Sequence, residues 1–168
     1  MFSICVIPGT FDPVTNGHVD LIERAARLFD KIYVTAFGNS AKKTMFGLED
    51  RKKMLELACK DVYGCEKIMV EATTELLAAY VKAKNAGFIV KGTRNSIDYE
   101  YEYMLYLINK EIGDGLETLF FPSKESHLYL SSTFVREMLA YDRDISDFVP
   151  AKVRDYIGEI SKKLAGNQ

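Results

Sequence analysis

The sequence predicts an α/β fold: a doubly wound sheet of five parallel strands with helices on both faces. Two observations carry this expectation. Short apolar runs rich in Ile and Val recur along the chain, each suited to a strand buried on both faces. Between them lie segments with apolar residues at helical spacing, and alternating strands and helices imply parallel crossovers. The 168 residues are expected to form one domain, 1–168, large enough for a proper core.

Taken in order, Phe2 to Ile7 is the first predicted strand. Ile22, Ala25, Ala26 and Phe29 then fall on one helix face. Ile32 to Phe37 is the second strand, and Leu48 to Lys60 the second helix, with Glu49 and Asp50 at its positive dipole end. Lys67 to Glu71 is the third strand and Glu75 to Asn85 the third helix, with Gly87 expected as its C-terminal cap. Phe88 to Val90 is the fourth strand. A long helix follows from Ser96 to Ile112, with Ile97, Tyr101, Met104, Leu105, Ile108 and Ile112 expected as its core stripe. Its second stripe, Tyr99, Tyr103 and Tyr106, predicts a contact with another copy of the chain. Leu116 to Phe121 is the fifth strand. Ser131 or Ser132 caps a helix reaching Tyr141, and Pro150 opens the last one.

Composition excludes several function classes. A net charge of −2 lacks the basic face that a sequence-independent grip on nucleic acid needs. No apolar run approaches the ~18 residues of a membrane span. Three cysteines without a CxxC pair, and only two histidines, argue against a disulfide framework and a structural zinc site. Buried reduced thiols and a cytoplasmic location are the expectation, since no signal peptide is visible.

In a doubly wound sheet, ligands bind outside the carboxyl ends of the strands. The loop after the first strand, Pro8-Gly9-Thr10-Phe11-Asp12-Pro13-Val14-Thr15-Asn16-Gly17-His18, runs into a helix start. Such a start offers unpaired N–H groups and a positive dipole end to an anion, with His18 in its first turn. Lys42 and Lys43 follow the second strand, and Lys91 and Arg94 the fourth. Leu130-Ser131-Ser132-Thr133-Phe134-Val135-Arg136 brings three hydroxyls and an arginine to another helix start. These are phosphate-binding groups. Walker A and GxGxxG are both absent, which excludes an ordinary P-loop ATPase and weighs against a dinucleotide oxidoreductase.

The first of these motifs resembles the opening signature of the phosphopantetheine adenylyltransferases, with Thr15-Asn16-Gly17-His18 as its T-x-G-H variant. The second resembles the ISSTxxR motif of the wider HxGH nucleotidylyltransferase superfamily. The likeness extends through Tyr99-Glu100-Tyr101-Glu102, Pro122-Ser123-Lys124-Glu125 and Phe148-Val149-Pro150. It implies a Rossmann-like fold and transfer of the adenylyl group of ATP to 4′-phosphopantetheine. It also implies Mg²⁺ carried on the ATP phosphates, and a hexamer.

Carried over, His18 and Thr10 would contact the reacting α-phosphate, and Lys42 with Lys91 the phosphate of phosphopantetheine. Phe11, Gly92, Thr93, Arg94 and Glu102 would contact ATP. His127, Leu128, Tyr129, Leu130, Ser131, Ser132 and Thr133 would line the triphosphate. Leu77, Tyr101, Leu105, Asn109 and Glu137 would border the pantetheine arm. The family usually has arginine where Lys91 stands, so a fork is exchanged for a point charge. Gly47 replaces a usual threonine and removes a capping oxygen. A related transferase acting on another phosphate, and a non-catalytic nucleotide-binding regulator, are the alternatives.

Overall fold

The computed structural model describes residues 3–38 and 43–165. Lys42 lies outside them. The strands are β1 (Ile4–Gly9), β2 (Lys31–Phe37), β3 (Ile68–Thr73), β4 (Phe88–Thr93) and β5 (Glu117–Pro122). They form one sheet in the order β3-β2-β1-β4-β5, and every pairing is parallel. The chain leaves β1 toward β2 on one side and later returns to place β4 on the other. The order therefore reverses between β1 and β4, and a crevice opens at their carboxyl ends.

The helices are α1 (Asn16–Ala26), α2 (Leu48–Cys59), α3 (Leu77–Ala83), α4 (Ser96–Ile112), α5 (Ser132–Ala140) and α6 (Ala151–Ala165). None is long and apolar enough to cross a membrane. Alternate β1 residues explain the two layers. Cys5 and Ile7 join a core with Ile22 and Ala25 of α1, Met54 and Leu55 of α2, and Val153 and Ile157 of α6. Val6 points the other way, into a smaller core with Tyr33, Ile89 and the α3 residues Tyr80 and Val81. The period-2 alternation of a strand thus feeds both faces of the sheet.

Four expectations are corrected. The third helix starts at Leu77 and not at Glu75, and its end is made by Asn85, at φ +51°, and not by Gly87. Asparagine tolerates that left-handed geometry because its side chain is short and polar. The faces of α4 are exchanged. Tyr99 and Tyr106 pack edge-on against Phe120 of β5, while Ile97 is 75 % and Met104 59 % exposed. No α4 residue is fully buried, so its second stripe seats it on the sheet and the first is left open. Among the thiols, Cys5 and Cys59 are buried, and burial pushes both up to about 12, but Cys65 is exposed.

Candidate active site

The crevice at the switch point is a cleft of about 770 Å³. The loop after β1 forms its floor. Phe11 takes a left-handed φ of +50°, and its ring folds back over Gly9. A Cβ at Gly9 would meet that ring at 2.9 Å, so only glycine leaves the space. The Phe11 ring then meets His18 edge to face, with centroids 5.0 Å apart.

Thr15 is the N-cap of α1, and His18 closes a capping box with it. His18 Nδ1 accepts the Thr15 backbone N–H at 2.9 Å. A nitrogen that accepts from an amide carries no proton, so the neutral ring bears its proton on Nε2. The fold therefore presents an N–H donor at a helix start that has no acid in its first turn. Burial, and then the charge of Arg94, lowers the His18 pKa to about 4. The ring is neutral at physiological pH.

The opposite wall comes from β4 and α4. Lys91 and Glu102 form an ion pair at 3.2 Å. Arg94 is held by Asp98 in a two-pronged pair at 2.7 and 3.2 Å, and its Nη1 donates to the Leu130 carbonyl at 3.3 Å. Asp98 and Glu102 are one helical turn apart, so a single face of α4 neutralises both cations. Tyr101, Leu105 and Asn109 continue along that side, and Leu76 and Leu77 at the start of α3 complete it.

The hydroxyl-rich segment is largely occupied within the protein. Ser131 Oγ accepts from the Phe134 N–H at 3.0 Å as the cap of α5. Ser132 Oγ donates to the Pro13 carbonyl at 2.7 Å. Arg136 donates to the Asp12 carbonyl at 2.5 Å and to Thr133 Oγ1 at 3.0 Å. The arginine thus fastens the β1 loop instead of projecting as a spare cation. His127 lines the cleft, and its buried Nδ1 has no hydrogen-bond partner among the described residues.

The cleft brings together Thr10, Phe11, His18, Leu77, Lys91, Gly92, Arg94, Tyr101, Glu102, Leu105, Asn109, His127 and Leu130 to Thr133. Thr93, Leu128, Tyr129 and Glu137 are not among its lining residues; Leu128 and Tyr129 are exposed beside it.

Sequence reasoning missed Asp98, the holder of Arg94, and Arg51, which is 3 % exposed beneath the β1 loop. Arg51 had a signal: it falls on the apolar stripe of α2 with Met54, Leu55 and Ala58, where a charge is out of place. Asp12 in the β1 loop was also missed, and it is 2 % exposed. Its carboxylate accepts the Met45 and Phe46 amides, both at 2.9 Å.

A cytidylyltransferase-like family model matches residues 6–138. The chain is 42 % identical over 154 residues to the phosphopantetheine adenylyltransferase of Vesicomyosocius okutanii subsp. Calyptogena okutanii, covering 92 % of this chain and 96 % of that one. It is 40 % identical over 148 residues to the phosphopantetheine adenylyltransferase of Haemophilus influenzae, covering 88 % and 93 %. In three dimensions it resembles Plasmodium falciparum nicotinic acid mononucleotide adenylyltransferase complexed with NaAD, with a TM-score of 0.71 at 18 % identity over 95 % of this chain and 96 % of that one. That last likeness is one of fold.

Proposed function

The chain belongs to the cytidylyltransferase-like family and, within it, to the phosphopantetheine adenylyltransferases; on that premise we propose that it transfers the adenylyl group of ATP to 4′-phosphopantetheine, giving dephospho-coenzyme A and pyrophosphate. A phosphate oxygen of phosphopantetheine attacks the α-phosphorus in line. The bond from that phosphorus to the bridging oxygen of the β-phosphate breaks, and pyrophosphate leaves. The attacking group is already an anion, so the protein need supply no nucleophile.

The observation that carries this reading is the capping box at the start of α1. It fixes the His18 tautomer so that Nε2–H is the free donor, suited to the α-phosphate oxygens as charge builds on them. Thr10 would touch both substrates. Lys42 and Lys91 would hold the phosphate of phosphopantetheine, and Arg94, Gly92, Thr93 and Glu102 the nucleotide. The segment His127 to Thr133 would follow the triphosphate, and Leu77, Tyr101, Leu105, Asn109 and Glu137 would border the arm. Catalysis would be positioning plus electrostatic stabilisation.

Mg²⁺ would enter on the nucleotide and neutralise phosphate charge, held by phosphate oxygens and water. Among the described residues no group of three His, Cys, Asp or Glu side chains is arranged to hold a metal. We further propose a cytoplasmic homo-oligomer, a hexamer, with the open α4 stripe of Ile97, Met104, Ile108 and Ile112 in its contact. Aromatic and apolar helix faces left open in this way favour subunit contacts. A monomeric mass by light scattering would refute that part. The function is tested by pyrophosphate release from ATP with 4′-phosphopantetheine, against nicotinamide mononucleotide and glycerol 3-phosphate. Turnover with a control and not with phosphopantetheine refutes it.

A further inference from the structure

Arg51 does not line the cleft, yet it bonds to each backbone segment behind its phosphate end. Nη1 donates to the Thr10 carbonyl at 2.7 Å and to the Phe37 carbonyl at 3.0 Å. Nε donates to the Phe46 carbonyl at 3.2 Å. These carbonyls belong to the β1 loop, the end of β2 and the segment leading into α2. The same last segment gives its Met45 and Phe46 amides to Asp12. Asp12 and Arg51 thus grip one stretch of backbone from its donor and its acceptor side. That stretch begins three residues after Lys42 in the chain.

We propose that Arg51, with Asp12 as its counterpart, is a positioning residue for the transfer: it fixes the spacing between the loop that carries Thr10 and leads into the helix start bearing His18, and the segment that follows Lys42. Holding a loop, a strand end and the entry to a helix together does not by itself call for a buried cation. Packed apolar side chains of similar volume do so without the cost of desolvating a charge. What the guanidinium adds is a rigid planar fork that reaches three carbonyls from three segments at once, a geometry an ammonium group does not match. Two polyanionic substrates must meet in line across these segments, and small misplacements there are expensive in rate.

The inference rests on the reading of function above, and its test separates the two. Arg51→Lys keeps the charge and loses the fork. Assayed well below its melting midpoint and at saturating substrate, it should release pyrophosphate with kcat lowered by about tenfold or more, a larger factor than any rise in KM for ATP. A kcat within about threefold of wild type, even with a lowered melting temperature, overturns the inference and leaves Arg51 a purely structural residue. If Arg51→Lys does not fold, Asp12→Asn replaces it, since it weakens the grip on the Met45 and Phe46 amides and leaves the guanidinium fork in place. Wild-type kcat in that variant overturns the inference equally.

A wild type inactive with ATP and 4′-phosphopantetheine refutes the functional reading instead. ATP affinity by calorimetry then decides. Arg51→Lys should bind ATP at least about fivefold more weakly, because the Thr10 loop has lost its support; an unchanged Kd overturns the inference.

Discussion

Replacing His18 with alanine probes the catalytic reading and the electrostatics of the site together. The ring is expected to give one hydrogen bond to the α-phosphate oxygens, strongest in the transition state. Losing one preorganised donor of that kind costs about 10²–10³ in kcat. KM for ATP should stay within about threefold, since ground-state binding has other contacts.

The stability effect follows from the lowered pKa. An unfolded chain takes up a proton on this ring near pH 6.5, but the folded chain only near pH 4. Between those values the unfolded state binds more protons. The contribution is therefore fully present above pH 6.5 and is lost as pH falls toward 4. Linkage with these two values gives a loss of about 2 kcal/mol from this one group between about pH 7.5 and pH 5. Urea unfolding of both proteins at the two pH values measures it. His18→Ala should be less stable at the higher pH by about 1 kcal/mol, because the Thr15 N–H loses its acceptor. Its further loss on acidification should be about 2 kcal/mol smaller than that of wild type. Equal losses on acidification would refute the claim that the fold holds His18 neutral. An unchanged kcat would refute its role in the transfer.

Three further outcomes are expected. Gly9→Ala should displace the Phe11 ring, which lies 2.9 Å from the added Cβ, and lower kcat/KM for ATP with the protein still folded by circular dichroism. Tyr80→Phe removes a buried hydroxyl that donates to Glu71 at 2.8 Å and accepts from Thr35 at 2.9 Å. Urea unfolding should show a loss of about 1–2 kcal/mol, with KM for ATP unchanged. Lys91→Arg should retain activity, with KM for phosphopantetheine equal or lower, because the fork can grip a phosphate while keeping Glu102. A large loss of turnover would mean the pocket is shaped around lysine.

Much of this was legible from the sequence, for identifiable reasons. Strand runs and helical periodicity carry element order, so the sheet and its switch point follow from Ile4 to Pro122. The phosphate-end loops are legible because a strand, a turn and a helix start occur in succession. What stayed hidden was direction. Two apolar stripes on α4 have the same period, and nothing local says whether Tyr99 or Ile97 meets the sheet; Phe120 on β5 decides that. The hydroxyls and Arg136 read as anion ligands because residue type shows donor capacity, and only the fold shows that Asp12 and Pro13 carbonyls use it. Arg51 and Asp12 escaped for a related cause. Their partners are backbone groups, which every residue has, so no side-chain pattern points to them.

The fastening of the β1 loop has a consequence for biosynthesis. Pro13 is tied by Ser132 and Asp12 by Arg136, separations of 119 and 124 residues. The Asn16 side chain reaches the Asp147 carbonyl across 131 residues, and its backbone N–H donates to the Phe148 carbonyl. On a ribosome, the segment translated first receives its final anchors only as the last quarter of the polypeptide emerges. A nascent chain halted before α5 can pair β1 with β2 and β4 in register, yet its first loop has none of these anchors. Such an arrested fragment should incorporate into a compact particle and still fail to retain ATP, so that nucleotide capture marks the completion of synthesis.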